Sequence, residues 1–586
     1  MLPITLWADT RSAIRHWRLG FLFFVESAAS SRILGQWQRL YMDLEQASIQ
    51  SRSSGATWPR PEDRPTHHAD KAGAAYAAEV STDHRKDHGL YLTAVAVADF
   101  MAEQVAVTGD SLRILDPAAG AGILLCALVE ALASRTNAPR RIELVAYEID
   151  PKLAEVLNEV LNRLKGWGAE RGVAVTVRVA CKDFVLEHAE ALRNVGGFLP
   201  LLPESNAFDV VIANPPYFKL NKADPRAQAA SGVVHGQPNI YGLFMAVGAA
   251  LLRQGGELVF ITPRSFTSGP YFRLFRERFF ECIRPKLVHV FGSRRDPFNR
   301  DAVLQENVIL VGLRQDGWLR QEPDDLMTIS SSNGVSDLKT SDRRAVRVDS
   351  VLDMASREKV LRLPVSEAED DLTRLVDSWP GSLRAYGLQI STGPVVPFRA
   401  TQFIDKAGEV PGSHVPLLWM NHVQPMQVTW PIGRHKPEYI KHVTDALVLL
   451  VPNRNYVLLR RFSAKEEERR LVAGPYLAVT GKTSMVGLEN HLNYVYRPGG
   501  TLTEDETFGI AALFSSSLLD TYFRISNGNT QVSATELRTM PLPALSVINT
   551  IGRQARALNG DLPAINAVVM RLAGFKHMKA NKAAYG

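Results

Sequence analysis

Asn214, Pro215, Pro216 and Tyr217 stand together at the end of the apolar run Phe208 to Ala213. Their types suit one chemical problem: alkylating a planar amino nitrogen whose lone pair is delocalised into the ring that carries it. The Asn214 side-chain oxygen and the Pro215 carbonyl can each accept one amino hydrogen. Prolines fix φ and supply carbonyls without competing N–H donors, so both acceptors are set before the reactant arrives. Aimed acceptors concentrate electron density on the nitrogen as it attacks a methyl group, and preorganised polar stabilisation of this kind is often the largest catalytic contribution. Tyr217 is then placed to stack on the ring. A Pro-rich turn closing a strand is the plainer reading. The position after a buried strand and downstream of a glycine loop favours the chemical one.

Such a device needs a frame, and the upstream sequence supplies one. Asp116-Pro117-Ala118-Ala119-Gly120-Ala121-Gly122 is entered from Arg113-Ile114-Leu115 and left through the apolar stretch Ile123 to Val129. Short apolar run, glycine turn and long apolar helix form the first unit of a doubly wound α/β sheet. The spacing lacks the third glycine of the dinucleotide fingerprint. Asp116 at the strand's carboxyl end suits a ligand with a positive pole, such as S-adenosylmethionine. A second strand, Ile142 to Tyr147, ends in Glu148-Ile149-Asp150-Pro151, where a carboxylate commonly grips a ribose diol, and Glu148 is the candidate. A third, Val173 to Val179, leads to Asp183-Phe184, suited to an adenine amino group and an adenine face. Asp150 and Asp183 are each also natural helix N-caps.

Taken together, these residues resemble the gamma-class amino DNA methyltransferases, the adenine-modifying group that includes the TaqI enzyme. The resemblance rests on Asp116 to Gly122, Glu148 to Pro151, Asp183-Phe184 and Asn214 to Tyr217, and it covers roughly residues 84 to 320. Lys86 to Thr93, followed by the helix Ala94 to Met101, is similar to the motif that closes over the cofactor's methionine end, with Ala94 where the family usually has proline. Gly255 to Phe266 is like the family's central strand and following loop. The resemblance implies a class I, Rossmann-like fold with S-adenosylmethionine as cofactor. Cofactor contacts would come from Thr93, Asp116, Pro117, Ala118, Gly120, Gly122, Glu148, Ile149, Asp183 and Phe184. Catalysis would fall to Asn214, Pro215, Pro216 and Tyr217, with Tyr217 and Phe298 stacking on an extruded adenine and Phe291 as the rival to Phe298. No metal is implied.

Composition bounds the organisation. The chain has 586 residues, 46% of them apolar, enough for large cores and more than one domain. Its net charge is +6 and its pI about 9.1, a modest excess that would serve phosphate contacts if clustered. Cys126, Cys181 and Cys282 have neither metal-ligand nor disulfide spacing, which fits a reducing cytoplasm. No apolar run approaches membrane-spanning length. The expected parts are an N-terminal helical segment (1–47, amphipathic from about Arg11), a linker or irregular segment (48–83), the catalytic domain (84–320), a mixed α+β target-recognition domain (350–545) and a helical tail (546–586). The polar stretch Arg314 to Val348 is read as the boundary between the two domains.

Small-molecule methyltransferases have little need of so long a C-terminal region, and in gamma-class enzymes this is where DNA is recognised. Arg434, Lys436, Arg460, Arg461, Asn493, Asn529 and Gln531 are the expected DNA contacts, in a region that also carries the polar runs Asn490 to Tyr494 and Ser526 to Val532. Double-stranded DNA is the expected partner, with a separately encoded restriction endonuclease beside it. The alternatives are a ribosomal-RNA or protein-glutamine methyltransferase, a cytosine-modifying enzyme, a bifunctional restriction enzyme and a non-catalytic DNA-binding module. The first 83 residues show no Pro-Asp followed by an (Asp/Glu)-x-Lys nuclease pattern, and an intact tetrad argues against a module without catalysis.

Overall fold

The computed structural model describes residues 64–89, 91–193, 202–230, 232–233, 238–292, 306–320, 325–356, 358–405, 413–433, 436–462, 469–478, 483–527 and 531–575. The helix expected from Arg11 lies outside the described residues, and so does Phe298. Helices α1 (Pro65–Glu79) and α2 (Val95–Glu103) precede a nine-stranded sheet. Its strands are β1 (Ser111–Asp116), β2 (Arg141–Tyr147), β3 (Ala174–Ala180), β4 (Phe208–Ala213), β5 (Leu252–Pro263), β6 (Ile283–Phe291), β7 (Asn307–Arg314), β8 (Leu326–Ser332) and β9 (Asp342–Arg347).

The strand order is β3-β2-β1-β4-β5-β7-β6-β8-β9. Strands β3, β2, β1, β4 and β5 run parallel. Strand β7 runs antiparallel to both neighbours, β8 is parallel to β6, and β9 turns back. This is the expected doubly wound, mostly parallel α/β sheet. Val210 to Ala213 of β4 are all buried, as a strand covered on both faces requires. The order reverses between β1 and β4, which opens a crevice at their carboxyl ends.

The covering helices follow from local sequence. Helix α3 (Ile123–Ala133) is apolar along most of its length and largely buried. Helix α4 (Pro151–Ala169) starts at the Asp150 cap with proline in its first turn, and buries Leu153, Leu157, Leu161 and Leu164 on one face. Each such leucine contributes roughly 1.5–3 kcal/mol. Every residue of helix α5 (Ile240–Leu251) is buried, which marks a core helix.

Two expected boundaries move. The stretch from Arg314 to Val348, expected as the domain boundary, lies within the first core, because β8 and β9 extend the nine-stranded sheet and its core continues to Leu363. Residues 65–79, read as linker, form α1, which packs beside the glycine loop: a β-carbon on Gly73 would lie 3.1 Å from that of Ala121.

The C-terminal region is mixed α+β, as expected. A four-stranded antiparallel sheet joins Gln389–Thr392, Leu492–Tyr496, Tyr456–Arg460 and Ala473–Tyr476. A five-stranded sheet includes His414–Leu418 and Met485–Leu488. The helices Leu545–Ala557 and Leu562–Leu572, expected as a tail, are part of this region's main core through Ile548, Ile551, Ile565 and Val569. No helix among the described residues is long and apolar enough to cross a membrane.

Candidate active site

The loop leaving β1 ends at Gly122, the N-cap of α3, with φ 85° and ψ 19°. A β-carbon there would fall 2.8 Å from Cδ1 of Leu157 on α4, so glycine is required by conformation and by packing together. The Gly120 N–H donates to Glu148 Oε2 at 3.0 Å and the Asp150 N–H to Oε1 at 2.9 Å. The carboxylate at the tip of β2 thereby ties two turns together. Burial pushes the Glu148 carboxyl up, and these N–H bonds pull against it. Around the tie lies a cavity of about 230 Å³ whose walls include Pro117, Ala118, Gly120, Glu148, Ile149, Asp183, Phe184, Asn214 and Pro216. Residues from four separate strand ends thus meet in one crevice.

Individual contributions differ from expectation. Ile149 is a 47% exposed apolar side chain at the cavity wall, and Phe184 is buried against Tyr147 and Phe244. Asp183 caps the short helix Phe184–Glu187 through the Leu186 N–H at 2.9 Å, and its other oxygen lies 3.5 Å from Nη1 of Arg226. Arg226 itself lines the cavity, a residue that sequence reasoning missed. Asp116 is fully buried and is not part of this cavity's lining. Its Oδ1 accepts from the Ala118 N–H at 3.1 Å, while Oδ2 has no hydrogen-bond partner. Here the carboxylate braces the loop that follows β1, in place of the exposed position expected for a cofactor contact. The acid that does face the adjoining recess is Asp70 of α1, beside Thr93, Ala119 and Ala121.

The tetrad is locked by the segment just before α2. Asn214 Nδ2 donates to Thr93 Oγ1 at 3.0 Å and to the Tyr91 carbonyl at 3.3 Å. The single hydrogen of the Tyr217 hydroxyl has two acceptors in reach, Asn214 Oδ1 at 2.5 Å and the Ile261 carbonyl at 3.0 Å, and the nearer is Asn214. Burial, then the neighbouring Tyr241 and Tyr91, hold the Tyr217 phenol well above its ordinary pKa, so it remains a donor. Its ring is 6% exposed and stacks on Tyr91, with centroids 5.6 Å apart. Tyr217 is consequently a brace for Asn214, with little free face for a base. Gly89, at φ +61°, lies where a β-carbon would sit 2.5 Å from Cβ of Pro216. Ala94, in place of the usual proline, caps α2 with φ −68° and ψ 146°, the φ a proline would impose. Phe291, the rival stacking residue, is 5% exposed and packed edge-on against His289.

A family model described as Eco57I restriction-modification methylase matches residues 170–298. Type II methyltransferase M.PstI of Providencia stuartii is 32% identical over 471 residues, spanning 80% of this chain and 90% of the relative. Type II methyltransferase M.BsuBI of Bacillus subtilis is 31% identical over 476 residues, with the same shares of 80% and 90%. The chain belongs to the type II restriction-modification methyltransferases. Among solved structures, the cryoEM structure of a DrdV–DNA complex is similar over 84% of this chain and 60% of that one, at 13% identity and a TM-score of 0.44.

In the methyltransferase's C-terminal region the expected DNA contacts separate. Arg434 and Asn529 lie outside the described residues. Asn493 is fully buried, its amide nitrogen donating to the Val532 carbonyl at 2.8 Å and its oxygen accepting from Thr392 at 3.0 Å. Its expected base contact is thus corrected to a structural tie. Arg460 turns inward, with Nε on the Val423 carbonyl at 2.7 Å. Lys436 and Gln531 are exposed and Arg461 is half-buried.

Proposed function

We propose that the methyltransferase modifies the N6 amine of an adenine turned out of duplex DNA, with S-adenosylmethionine as donor, as the protective half of a restriction-modification system. The donor supplies a methyl group on a cationic sulfur, so the chain's own task is to hold and polarise the amine. The residues present suit such a donor: a carboxylate tied between two turns at Glu148, apolar walls at Ile149 and Phe184, and an acid, Asp70, in the adjoining recess. Glu148 would take the ribose hydroxyls, and Asp183 with Phe184 the adenine end.

One observation carries the reading. The Asn214 carboxamide is clamped at both ends, nitrogen on Thr93 and Tyr91 and oxygen on Tyr217, at a wall common to the cavity and the recess. The clamp fixes which end of the amide is the acceptor. A carbonyl oxygen has two lone pairs, so after the Tyr217 hydroxyl takes one, another is left for an amino hydrogen. The Pro215 carbonyl is the second acceptor. Extruding the adenine costs roughly a few kcal/mol, which contacts around the base must offset.

The test is transfer of labelled methyl groups to DNA from a methylation-free host, followed by nucleoside mass spectrometry. N6-methyladenine is the expected product. N4-methylcytosine alone, or no methylated base, would overturn the proposal. Asn214→Ala should lower the transfer rate by about 10²–10³-fold while cofactor binding survives.

A further inference from the structure

On the reading that the C-terminal region grips DNA, we propose that His491 reads a base edge of the recognition sequence and that Glu489 is the residue that positions it. Glu489 to His491 form the turn between strands Met485–Leu488 and Leu492–Tyr496, where the chain passes from the five-stranded sheet to the four-stranded one. The backbone of this turn is pinned on several sides. The Glu489 N–H donates to the Leu418 carbonyl at 3.0 Å and the Asn490 N–H to that of Val395 at 2.9 Å, and the His491 carbonyl accepts from the Arg461 N–H at 2.9 Å.

The side chains divide into a hidden acid and displayed polar groups. Glu489 is 1% exposed, and one of its carboxylate oxygens lies 2.6 Å from Nδ1 of His491, whose side chain is 46% exposed, an ion-pair approach without hydrogen-bond geometry that leaves both buried oxygens without a hydrogen-bond partner. With Nδ1 turned to the buried carboxylate, Nε2 is the ring nitrogen left for an outside partner. The Phe462 ring packs edge-on against the imidazole at 5.0 Å and 81°, which limits its rotation. Burial raises the Glu489 carboxyl, and the ring and backbone N–H of His491, with the side chains of Lys436 and Arg461, oppose that rise. The Arg461 guanidinium donates to the Asn490 carbonyl at 3.1 Å and lies 5.6 Å from the Phe462 ring centre, and Lys436 lies 4.6 Å over Trp419. Gln531, paired with Phe462 by a β-bridge, is exposed beside them.

Approaching DNA would meet cations and an oriented imidazole, with the acid of the cluster buried behind them. Cations that contact phosphates fix position without carrying sequence information, which has to come from groups that reach base edges. A short, rigidly held ring is suited to the sequence-specific part, because readout demands a fixed donor or acceptor direction.

The experiment expresses wild type, His491→Ala, His491→Gln, Glu489→Gln and Lys436→Ala in a methylation-free host and sequences the modified bases. Purified proteins are then assayed on duplexes carrying the wild-type motif or single-base departures from it. For the His491 variants and Glu489→Gln, discrimination at one motif position should fall by about 10- to 100-fold, with melting temperature and cofactor affinity retained. Lys436→Ala should weaken methylation of all duplexes alike. His491 variants that keep full discrimination at every position overturn the proposal, whether activity is unchanged or uniformly lower, because the residue would then be structural or a phosphate contact. Wild type that leaves DNA unmodified defeats the underlying reading instead, so the two failures are distinguishable.

Discussion

Thr93 separates two roles that the sequence alone does not divide. The resemblance places it among the cofactor contacts, whereas the structure puts its hydroxyl oxygen 3.0 Å from Asn214 Nδ2 as an acceptor. Thr93→Val keeps the shape and removes that acceptor. The carboxamide is then left with the longer bond, 3.3 Å to the Tyr91 carbonyl. A neutral hydrogen bond contributes about 0.5–1.5 kcal/mol net. If that stabilisation is lost from the aligned amide, methyl transfer slows roughly 2- to 13-fold. The assay is rapid-quench single turnover at saturating cofactor and DNA, with cofactor affinity measured separately by calorimetry. Thr93→Ser retains the oxygen and should restore the rate. A valine variant with wild-type single-turnover rate and weakened cofactor affinity would refute the positioning role and return Thr93 to cofactor binding.

The remaining expectations follow from the same geometry. Gly89→Ala places a side chain in left-handed backbone, at a cost of roughly 1–2 kcal/mol, and drives a β-carbon against Pro216. Its single-turnover rate should fall more than its melting temperature suggests, and full activity would show that Pro216 tolerates displacement. The buried Asp116 carboxyl is pushed up to about 8 by desolvation, with the Ala118 N–H opposing and the charge of Glu148 adding. That value lies above the unfolded carboxylate value of about 3.9. The stability this group contributes is therefore whole below about pH 4 and is lost as pH rises through about 8. Asp116→Asn does not titrate, so its melting temperature should gain on wild type between about pH 5 and about pH 9, and a pH-independent difference would contradict the raised value.

What could be read from the sequence was whatever short-range chemistry decides. The glycine loop, the caps at Asp150 and Asp183 and the position of the tetrad after β4 all depend on a few adjacent residues, and each stands where the residues indicate. What escaped was decided by distant partners. Strands β8 and β9 looked like a domain boundary because β8 carries Ser330 and Ser332, yet both hydroxyls meet the buried His289 ring, at 2.8 and 3.0 Å. Desolvation, first, and the charge of Arg343 lower that imidazole to about 4, so it stays neutral and can sit between them. Helix α1 escaped for the opposite reason. It packs through Ala69 and Gly73, small residues that give no strong apolar period, and so the acid it brings to the recess, Asp70, went unread.

The same logic explains why two asparagines of like chemistry stand in such different surroundings. Asn214 and Asn493 are the same residue type, each with its amide bonded at both ends. Asn493 lies within a strand, fully buried, where both bonds serve the fold. Asn214 lies beyond a strand end at the wall of a cavity, so a lone pair not used by Tyr217 has somewhere to point. Residue type therefore states what a side chain can donate or accept, and the strand terminus determines whether a substrate can reach it. That is why the groups bracing Asn214 lie as far as 123 residues upstream, at Tyr91. Tyr217, on the same loop, braces the oxygen, while the nitrogen is held by Tyr91 and Thr93, which come from another part of the chain and do not move with that loop.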